Sequence, residues 1–159
     1  MDAVASLSPP PEVALSSRYG ACLLFAANAL ARAVTAIGDT EFARMGLSYS
    51  HAYLLSEVAL NPGQTPSSLS ETLFLSPSTI TRLVEKLEAK GLARRQSEGK
   101  NTLVFATDKG AELAPAVGQA WQSNWSKFVE RLGEQEVVDL TRLIFAAAEK
   151  LVDEPDAEL

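Results

Sequence analysis

Two helix-start signals follow one another in the middle of this sequence, and they constrain the fold more than any other feature. Thr65-Pro66 and Ser76-Pro77 each place a capping hydroxyl before a proline at the first helical position. The first signal predicts a short helix through about Leu73. The second predicts a helix that ends at Lys90-Gly91, because glycine suits a left-handed C-cap. Two short helices joined by a tight turn are typical of a helix-turn-helix.

A β-hairpin is predicted directly after the second of these helices. Residues 92–96 and 102–106 are predicted strands, and residues 97–101 between them are the predicted hairpin tip. Within the second helix, apolar residues recur at every third or fourth position, which predicts a buried stripe of Ile80, Leu83, Val84 and Leu87. The order of helix, turn, helix and hairpin predicts a winged helix-turn-helix.

The opposite face of the second helix is hydroxylic at its start and basic further along. We expect this face to enter a DNA groove and to contact bases through Pro77, Ser78, Thr79 and Arg82. Arg82 lies one turn into the helix, where its guanidinium can donate two hydrogen bonds to a guanine edge. Contacts to phosphate or to the minor groove are expected from Ser67, Ser68, Lys86, Arg94, Arg95 and Lys100. An isolated basic helix face is usually only solvated surface, but the surrounding signals favour DNA binding.

The distribution of charge is compatible with this interpretation, although the net charge of the chain is -6. Residues 72–109 contain seven basic and four acidic residues, so this segment carries +3 and the rest of the chain carries -9. A phosphate-binding surface depends on its local field, because the Debye length is about 8 Å at physiological salt.

Three further helices are predicted around this segment. Residues 18–37 form a helix that is apolar on nearly every side and that residues 38–40 should end. Such a helix must be buried all round, and a second copy of the chain is the natural partner. Ser48 or Ser50 is expected to cap a helix to about Leu60, which buries either Tyr53 or Leu54. It also buries Leu55 and Val58.

The C-terminal third of the chain predicts two helices. Thr107 is expected to cap a long helix to about Arg131, and Gly133 should break it. A last helix is predicted over residues 134–152.

Residues 69–106, which read LSETLFLSPSTITRLVEKLEAKGLARRQSEGKNTLVFA and lead into Thr-Asp-Lys-Gly, resemble the MarR family of bacterial winged-helix transcription regulators. The flanking helices fit that family too, so the resemblance extends over about residues 18–151. It implies a mainly α fold: a winged helix-turn-helix DNA-binding lobe with long N- and C-terminal dimerisation helices. It also implies a homodimeric repressor that binds a palindromic operator on double-stranded DNA.

The wing departs from the family pattern at one point. Members usually carry an Asp-x-Arg signature whose arginine enters the minor groove, whereas this chain has Glu98-Gly99-Lys100 and a shorter predicted tip. Lysine reads a narrow groove less well than arginine. Either the wing contacts are weaker here, or Arg94 and Arg95 compensate.

On this interpretation the chain divides into five parts. We expect a flexible leader (1–17), a dimerisation helix with its connection (18–47), the DNA-binding lobe (48–106), the C-terminal dimerisation helices (107–152) and an acidic tail (153–159).

Family resemblance also implies release from DNA by a small aromatic or phenolic effector, or by oxidation of a cysteine in the first helix. The candidate sensor or pocket residues are Cys22, Tyr49, His51 and Tyr53. Simpler roles stay open for two of them: Cys22 as a small buried apolar residue, and His51 as a surface or capping residue.

Other classes of protein are disfavoured. One histidine and one cysteine do not provide a zinc cluster, and we expect no metal, no cofactor and no enzymatic activity. No apolar run reaches membrane-spanning length, and the N-terminus lacks the positive start of a signal peptide, so we expect a cytoplasmic protein. The remaining rival is a winged helix that binds another protein without sequence-specific DNA binding. Salt dependence distinguishes the two, because DNA affinity falls steeply with salt.

Overall fold

The computed structural model describes residues 17–152 of the chain and divides it into two units, the first ending at Tyr53 and the second beginning at Leu54. The fold is mainly α with a two-stranded wing, as predicted. Residues 1–16 of the predicted leader and the predicted tail, 153–159, lie outside the described residues. No helix within residues 17–152 is long and apolar enough to cross a membrane.

The first unit contains helix α1 (Leu23–Ala43) and the start of helix α2 (Tyr49–Leu60). The prediction for α1 was wrong at both ends. Residues 17–21 form a turn, in which the amide of Gly20 donates to the carbonyl of Ser17 at 3.0 Å, so the helix starts later. At the other end, α1 continues through the buried Gly38.

Gly46, rather than residues 38–40, marks the end of α1. Gly46 has a φ of 68°, and the amide of Leu47 reaches back to the carbonyl of Phe42 at 3.1 Å. That pattern is a helix C-terminus closed by a left-handed glycine. A glycine inside a helix costs only about 1 kcal/mol relative to alanine, so Gly38 does not by itself stop α1.

The core of the second unit is built from the predicted positions. Helix α2 buries Leu54, Leu55 and Val58 completely, whereas Tyr53, the alternative to Leu54, is half exposed. Helix α4 (Pro77–Ala89) buries its predicted stripe, and helix α3 (Pro66–Leu73) adds Leu69. The predicted caps of both helices are confirmed: the amide of Ser68 donates to Thr65 Oγ1, and that of Thr79 donates to Ser76 Oγ.

The turn between α3 and α4 contains a residue with an unusual backbone conformation. Phe74 follows α3 with a φ of 52°, in the left-handed region that favours glycine. Its ring packs edge-on against Phe145, with the ring centroids 5.3 Å apart. This contact joins the helix-turn-helix to the last helix.

The wing is an antiparallel hairpin of strands β1 (Ala93–Glu98) and β2 (Asn101–Ala106). The prediction placed the tip at residues 97–101, but cross-strand pairing continues to Glu98 opposite Asn101, so the tip is only Gly99 and Lys100. The carbonyl and amide of Val104 bond to Gly63 and Gln64, which extends the sheet by one bridge.

Two long helices follow the wing. Helix α5 (Asp108–Leu132) begins after the predicted cap, since Thr107 Oγ1 accepts from the amide of Gly110. Gly133, with a φ of 84°, separates α5 from helix α6 (Glu134–Val152), as predicted. Several large apolar residues of α6 are exposed in a single chain, among them Leu143 and Leu151.

Candidate nucleic-acid interface

Helix α4 presents the predicted recognition face to solvent. Its buried stripe fixes the rotation of the helix, and this rotation leaves Pro77, Ser78, Arg82 and Lys86 exposed, with Thr79 half-buried. The side chains of Arg82 and Lys86 make no hydrogen bond or ion pair with any residue in 17–152. Both cations are therefore free to meet a polyanion.

A cluster of hydroxyl groups forms the start of α4. Ser76 Oγ lies 3.0 Å from Ser78 Oγ and 2.8 Å from Thr79 Oγ1, and it also accepts the Thr79 amide at 3.2 Å. Hydroxyls both donate and accept, so Ser78 and Thr79 keep hydrogen-bonding capacity for a base edge. The positive end of the helix dipole adds a field that favours phosphate.

The far end of α4 is fastened to the start of α5. Thr107 Oγ1 donates to the carbonyl of Gly91 at 2.6 Å, and Lys109 Nζ donates to the carbonyl of Lys90 at 2.8 Å. Gly110 allows the close approach, because a Cβ built on it would lie 2.0 Å from the carbonyl oxygen of Leu92. The recognition helix is thus held to α5 at its C-terminus.

The two serines predicted to contact phosphate from α3 differ in their surroundings. Ser67 is exposed, whereas Ser68 is half-buried and its hydroxyl donates to Gln64 Oε1 at 3.0 Å. Gln64 in turn donates to Glu57, which also receives a hydrogen bond from Asn61. Ser68 therefore has its proton committed within the protein, and Ser67 is the better placed phosphate donor of the pair.

The two neighbouring arginines of β1 have different partners. The guanidinium of Arg94 lies 4.6 Å from the centre of the Phe105 ring and donates to Gln96. Arg95 instead forms an ion pair with Glu88 of α4, at 2.6 Å between Nη2 and Oε2. The hydrogen bonds from Arg95 lower the pKa of the Glu88 carboxyl, and the same carboxylate raises the pKa of Arg95. At the tip, Lys100 is exposed.

The four candidate sensor residues lie in the first unit and are not all brought together. Tyr49 and Tyr53 stack edge to face, 6.3 Å between ring centroids, and burial raises the pKa of the Tyr53 hydroxyl, with a smaller contribution from Tyr49. His51 is buried; its Nδ1 lies 2.7 Å from Ser48 Oγ and accepts from the amide of Ser48, the residue before α2, at 3.4 Å.

Cys22 was expected inside the first helix but is the N-cap residue that precedes it. The amide of Tyr49 is bonded to Asp39 near the other end of α1. At 1.5 Å per residue, that end lies about 25 Å along the helix axis from Cys22. Within one chain, Cys22 and the tyrosine pair therefore lie near opposite ends of α1 and do not form one site.

An apolar groove between α2 and α5 was not foreseen from the sequence. It encloses about 550 Å³ and is lined mainly by small residues with one large aromatic ring: Ser56, Ala59, Leu60, Ala111, Ala114, Pro115, Gly118 and Trp121. The spacing of the small residues along α5 was the available signal, but only the packing of α2 beside it makes a groove.

Glu88 was also missed, because the sequence presented it as ordinary helix-surface charge. Its partner Arg95 lies beyond a helix end and a turn, so neither residue signals the pairing locally.

Comparison with known proteins links this arrangement to a family. Residues 45–101, from the turn before α2 to the first residue of β2, match the model of the MarR family. The uncharacterized HTH-type transcriptional regulator YybA of Bacillus subtilis (strain 168) is 28% identical over 89 residues, or 54% of this chain. The match spans 59% of the length of YybA.

Solved structures share the fold over most of the chain. A MarR family transcriptional regulator from Listeria monocytogenes, complexed with 26mer DNA, is 25% identical with a TM-score of 0.69, covering 82% of this chain and 89% of that one. The PcaV transcriptional regulator from Streptomyces coelicolor, in complex with its natural ligand, is 20% identical with a TM-score of 0.74, covering 85% and 97%. The second likeness establishes the fold alone.

Proposed function

We propose that this chain is a transcriptional regulator of the MarR family, whose model matches residues 45–101, and that it binds double-stranded DNA with α4 in the major groove and the wing beside it. The observation that carries the proposal is the exposed face of α4, where Arg82 and Lys86 project free of any partner in residues 17–152 behind a hydroxyl-rich start. The similar protein from Listeria monocytogenes was solved with DNA, which supports this use of the fold.

The proposed contacts fall into two groups. Pro77, Ser78, Thr79 and Arg82 meet base edges, since they occupy the exposed start of α4. The phosphate and minor-groove contacts come from Ser67, Lys86, Arg94 and Lys100, which are exposed. Ser68 joins them only if its hydroxyl leaves Gln64, and Arg95 only if its guanidinium leaves Glu88.

The active species in this proposal is a homodimer formed by α1, α5 and α6. Support comes from the large apolar side chains that each unit leaves exposed, such as Leu23 and Leu24 of α1 and Leu143 of α6. Large apolar side chains exposed together on one element are typical of a protein–protein interface. A two-fold dimer would bind a palindromic operator and act as a repressor by occupying it.

The proposed signal that releases the repressor is a small aromatic or phenolic molecule. The apolar groove between α2 and α5 has the size and lining of a small-molecule site, and the similarly folded PcaV holds its natural ligand. The tyrosine pair, Tyr49 with Tyr53, is a second candidate recognition element. Oxidation of Cys22 is the alternative signal, and it requires no contact with the tyrosines.

The test is fluorescence anisotropy of the purified protein with DNA from its own upstream intergenic region, across a salt series. An unrelated duplex of equal length is the control. Tight, salt-steep and sequence-selective binding is expected, and the matched variant Arg82→Ala should lose selectivity. If a genome-wide DNA selection also yields no preferred sequence, the proposal fails and a protein-interaction role takes its place.

A further inference from the structure

Glu88 and Arg95 form the most extensively hydrogen-bonded ion pair that the structure describes. Glu88 Oε2 accepts from Arg95 Nε at 3.0 Å and from Nη2 at 2.6 Å, while Oε1 accepts the main-chain amide of Arg95 at 2.9 Å. Both carboxylate oxygens of one α4 residue are thereby occupied by one β1 residue. A planar guanidinium held through two of its nitrogens is fixed in direction as well as in distance.

The hydrogen bond from the main-chain amide of Arg95 to Glu88 explains why this ion pair forms at the edge of the hairpin. Arg95 is paired with Val104, whose own amide and carbonyl bond to the 63–64 turn rather than to β1. The amide of Arg95 therefore points away from β2, toward the open edge of the hairpin. An unpaired edge amide needs an acceptor, and the Glu88 carboxylate supplies one.

Arg94, the residue before Arg95, lies on the other face of the hairpin and has different partners. Successive side chains of a strand project to opposite faces, so Arg94 shares a face with Phe105 and Arg95 does not. Arg94 is exposed and keeps its guanidinium over the half-buried ring of Phe105, where it can also meet a phosphate. Arg95 has its guanidinium held against α4.

We infer that Arg95 is a positioning residue, which fastens the wing to the recognition helix through Glu88, and that it does not contact DNA phosphate. Glu88 and Arg95 form a clamp that joins α4 and the hairpin as one rigid piece. This keeps Lys100 at a fixed offset from Arg82, so that both reach the same duplex together. The inference rests on the proposed DNA-binding function, since positioning the wing has a purpose only there.

The first test needs no DNA. Amide hydrogen exchange of Arg95 is measured in the wild type, in Glu88→Ala and in the control Glu85→Ala. Glu85 carries the same charge one turn earlier on α4 but makes no hydrogen bond to Arg95 among the described residues. Exchange at Arg95 should be faster in Glu88→Ala and unchanged in Glu85→Ala. Equal exchange in both variants would mean that the clamp does not exist in solution.

The second test compares the DNA affinities of the same two variants. Each loses one carboxylate that repels DNA, so general electrostatics predicts equal effects. If Arg95 positions the wing, Glu88→Ala binds about threefold to tenfold more weakly than Glu85→Ala. If Arg95 instead contacts phosphate, freeing it from Glu88 makes Glu88→Ala bind at least as tightly as the control, and the inference is overturned.

A charge exchange and a coupling measurement separate positioning from a merely structural role. Glu88→Arg adds positive charge in any background, so it should raise affinity more when combined with Arg95→Glu, where it re-forms the pair, than in the wild type, where it breaks the pair; equal effects in the two backgrounds would count against the clamp. Adding Lys100→Ala to Arg95→Gln should not lower the DNA affinity further, because the loosened wing no longer places Lys100 against the DNA. Additive losses of affinity would count against the clamp.

If the wild type shows no selective DNA binding, the proposed function fails together with this role, while hydrogen exchange still reports whether the clamp exists.

Discussion

Arg82 and Lys86 lie one helical turn apart on α4, yet their loss is expected to have different consequences. An arginine that reads a guanine edge contributes to discrimination between sequences, so Arg82→Ala should cost about 1–3 kcal/mol on the cognate operator and much less on unrelated DNA. Competition binding on operator variants that change one base pair at a time measures this. A uniform loss on every duplex would reassign Arg82 to the phosphates.

Lys86 is expected to behave as a backbone contact. Lys86→Ala should weaken binding to all sequences alike and make the slope of log affinity against log salt shallower by about 0.9 for each chain bound, or about 1.8 for a dimer. The same salt series on an operator and on random DNA gives both quantities. A sequence-dependent loss would place Lys86 among the base readers instead.

Gly110 and Gly118 both lie in α5 but occupy opposite environments. A methyl group at Gly110 would lie 2.0 Å from the carbonyl oxygen of Leu92, whereas nothing lies within 4 Å of one at Gly118. Gly110→Ala should therefore destabilise the protein by about 3 kcal/mol, because main chain must move. Gly118→Ala should stabilise it by about 0.5–1 kcal/mol through helix propensity. Urea unfolding measures both, and similar free energies for the two variants would contradict the packing described here.

Among the elements, those with side-chain signals at their own ends were predictable from sequence. Thr65, Ser76 and Thr107 cap α3, α4 and α5 as expected, because a capping hydroxyl bonds an amide only three residues away. The ends of α1 were not predictable, since a glycine in a helix yields to tertiary packing at a cost of only about 1 kcal/mol. The hairpin tip was placed too wide because pairing across β1 and β2 is not encoded locally.

The features of the candidate site also divide into those that the sequence predicts and those that depend on tertiary packing. The exposed face of α4 follows from helical periodicity, so the residues on that face could be named from the sequence, while their contacts with bases stay a prediction. The separate roles of Arg94 and Arg95 could not, because they depend on which face of the wing meets α4. Cys22 and the tyrosines were grouped by family resemblance, and the length of α1 separates them.

The clamp between α4 and the wing predicts a response to acid. Hydrogen bonds from Arg95 lower the pKa of the Glu88 carboxyl below its ordinary value in the folded protein. The unfolded chain therefore binds this proton first as the pH falls, so the contribution of the clamp is complete above the unfolded pKa and is lost as pH drops through the lowered folded value. Denaturant unfolding between about pH 5 and about pH 3 should show a steeper loss of stability for the wild type than for Glu88→Gln. Parallel curves would mean that Glu88 titrates alike in both states.

At the scale of the whole molecule, net positive charge is concentrated in one segment of the chain. Residues 72–109 carry +3 while the rest of the chain carries -9. Duplex DNA should be repelled by most of the protein and attracted at the recognition helix and wing, which favours a single docking orientation.

That distribution allows the salt dependence of binding to report how many chains are bound. Lys86, Arg94 and Lys100 are the proposed phosphate contacts with a formal positive charge, and each phosphate neutralised contributes about -0.9 to the slope of log affinity against log salt. A dimer on its operator should therefore give a slope of about -5, and a single chain on a half-site should give about half of that.

Leu143→Glu places a charge on the exposed apolar face of α6 and should convert the dimer into a monomer, as judged by sedimentation. Its salt slope should then fall to the half-site value while α4 still prefers the same bases. A full slope from a proven monomer would mean that one chain alone contacts all of those phosphates, and that α6 pairs the chains for a purpose other than DNA binding.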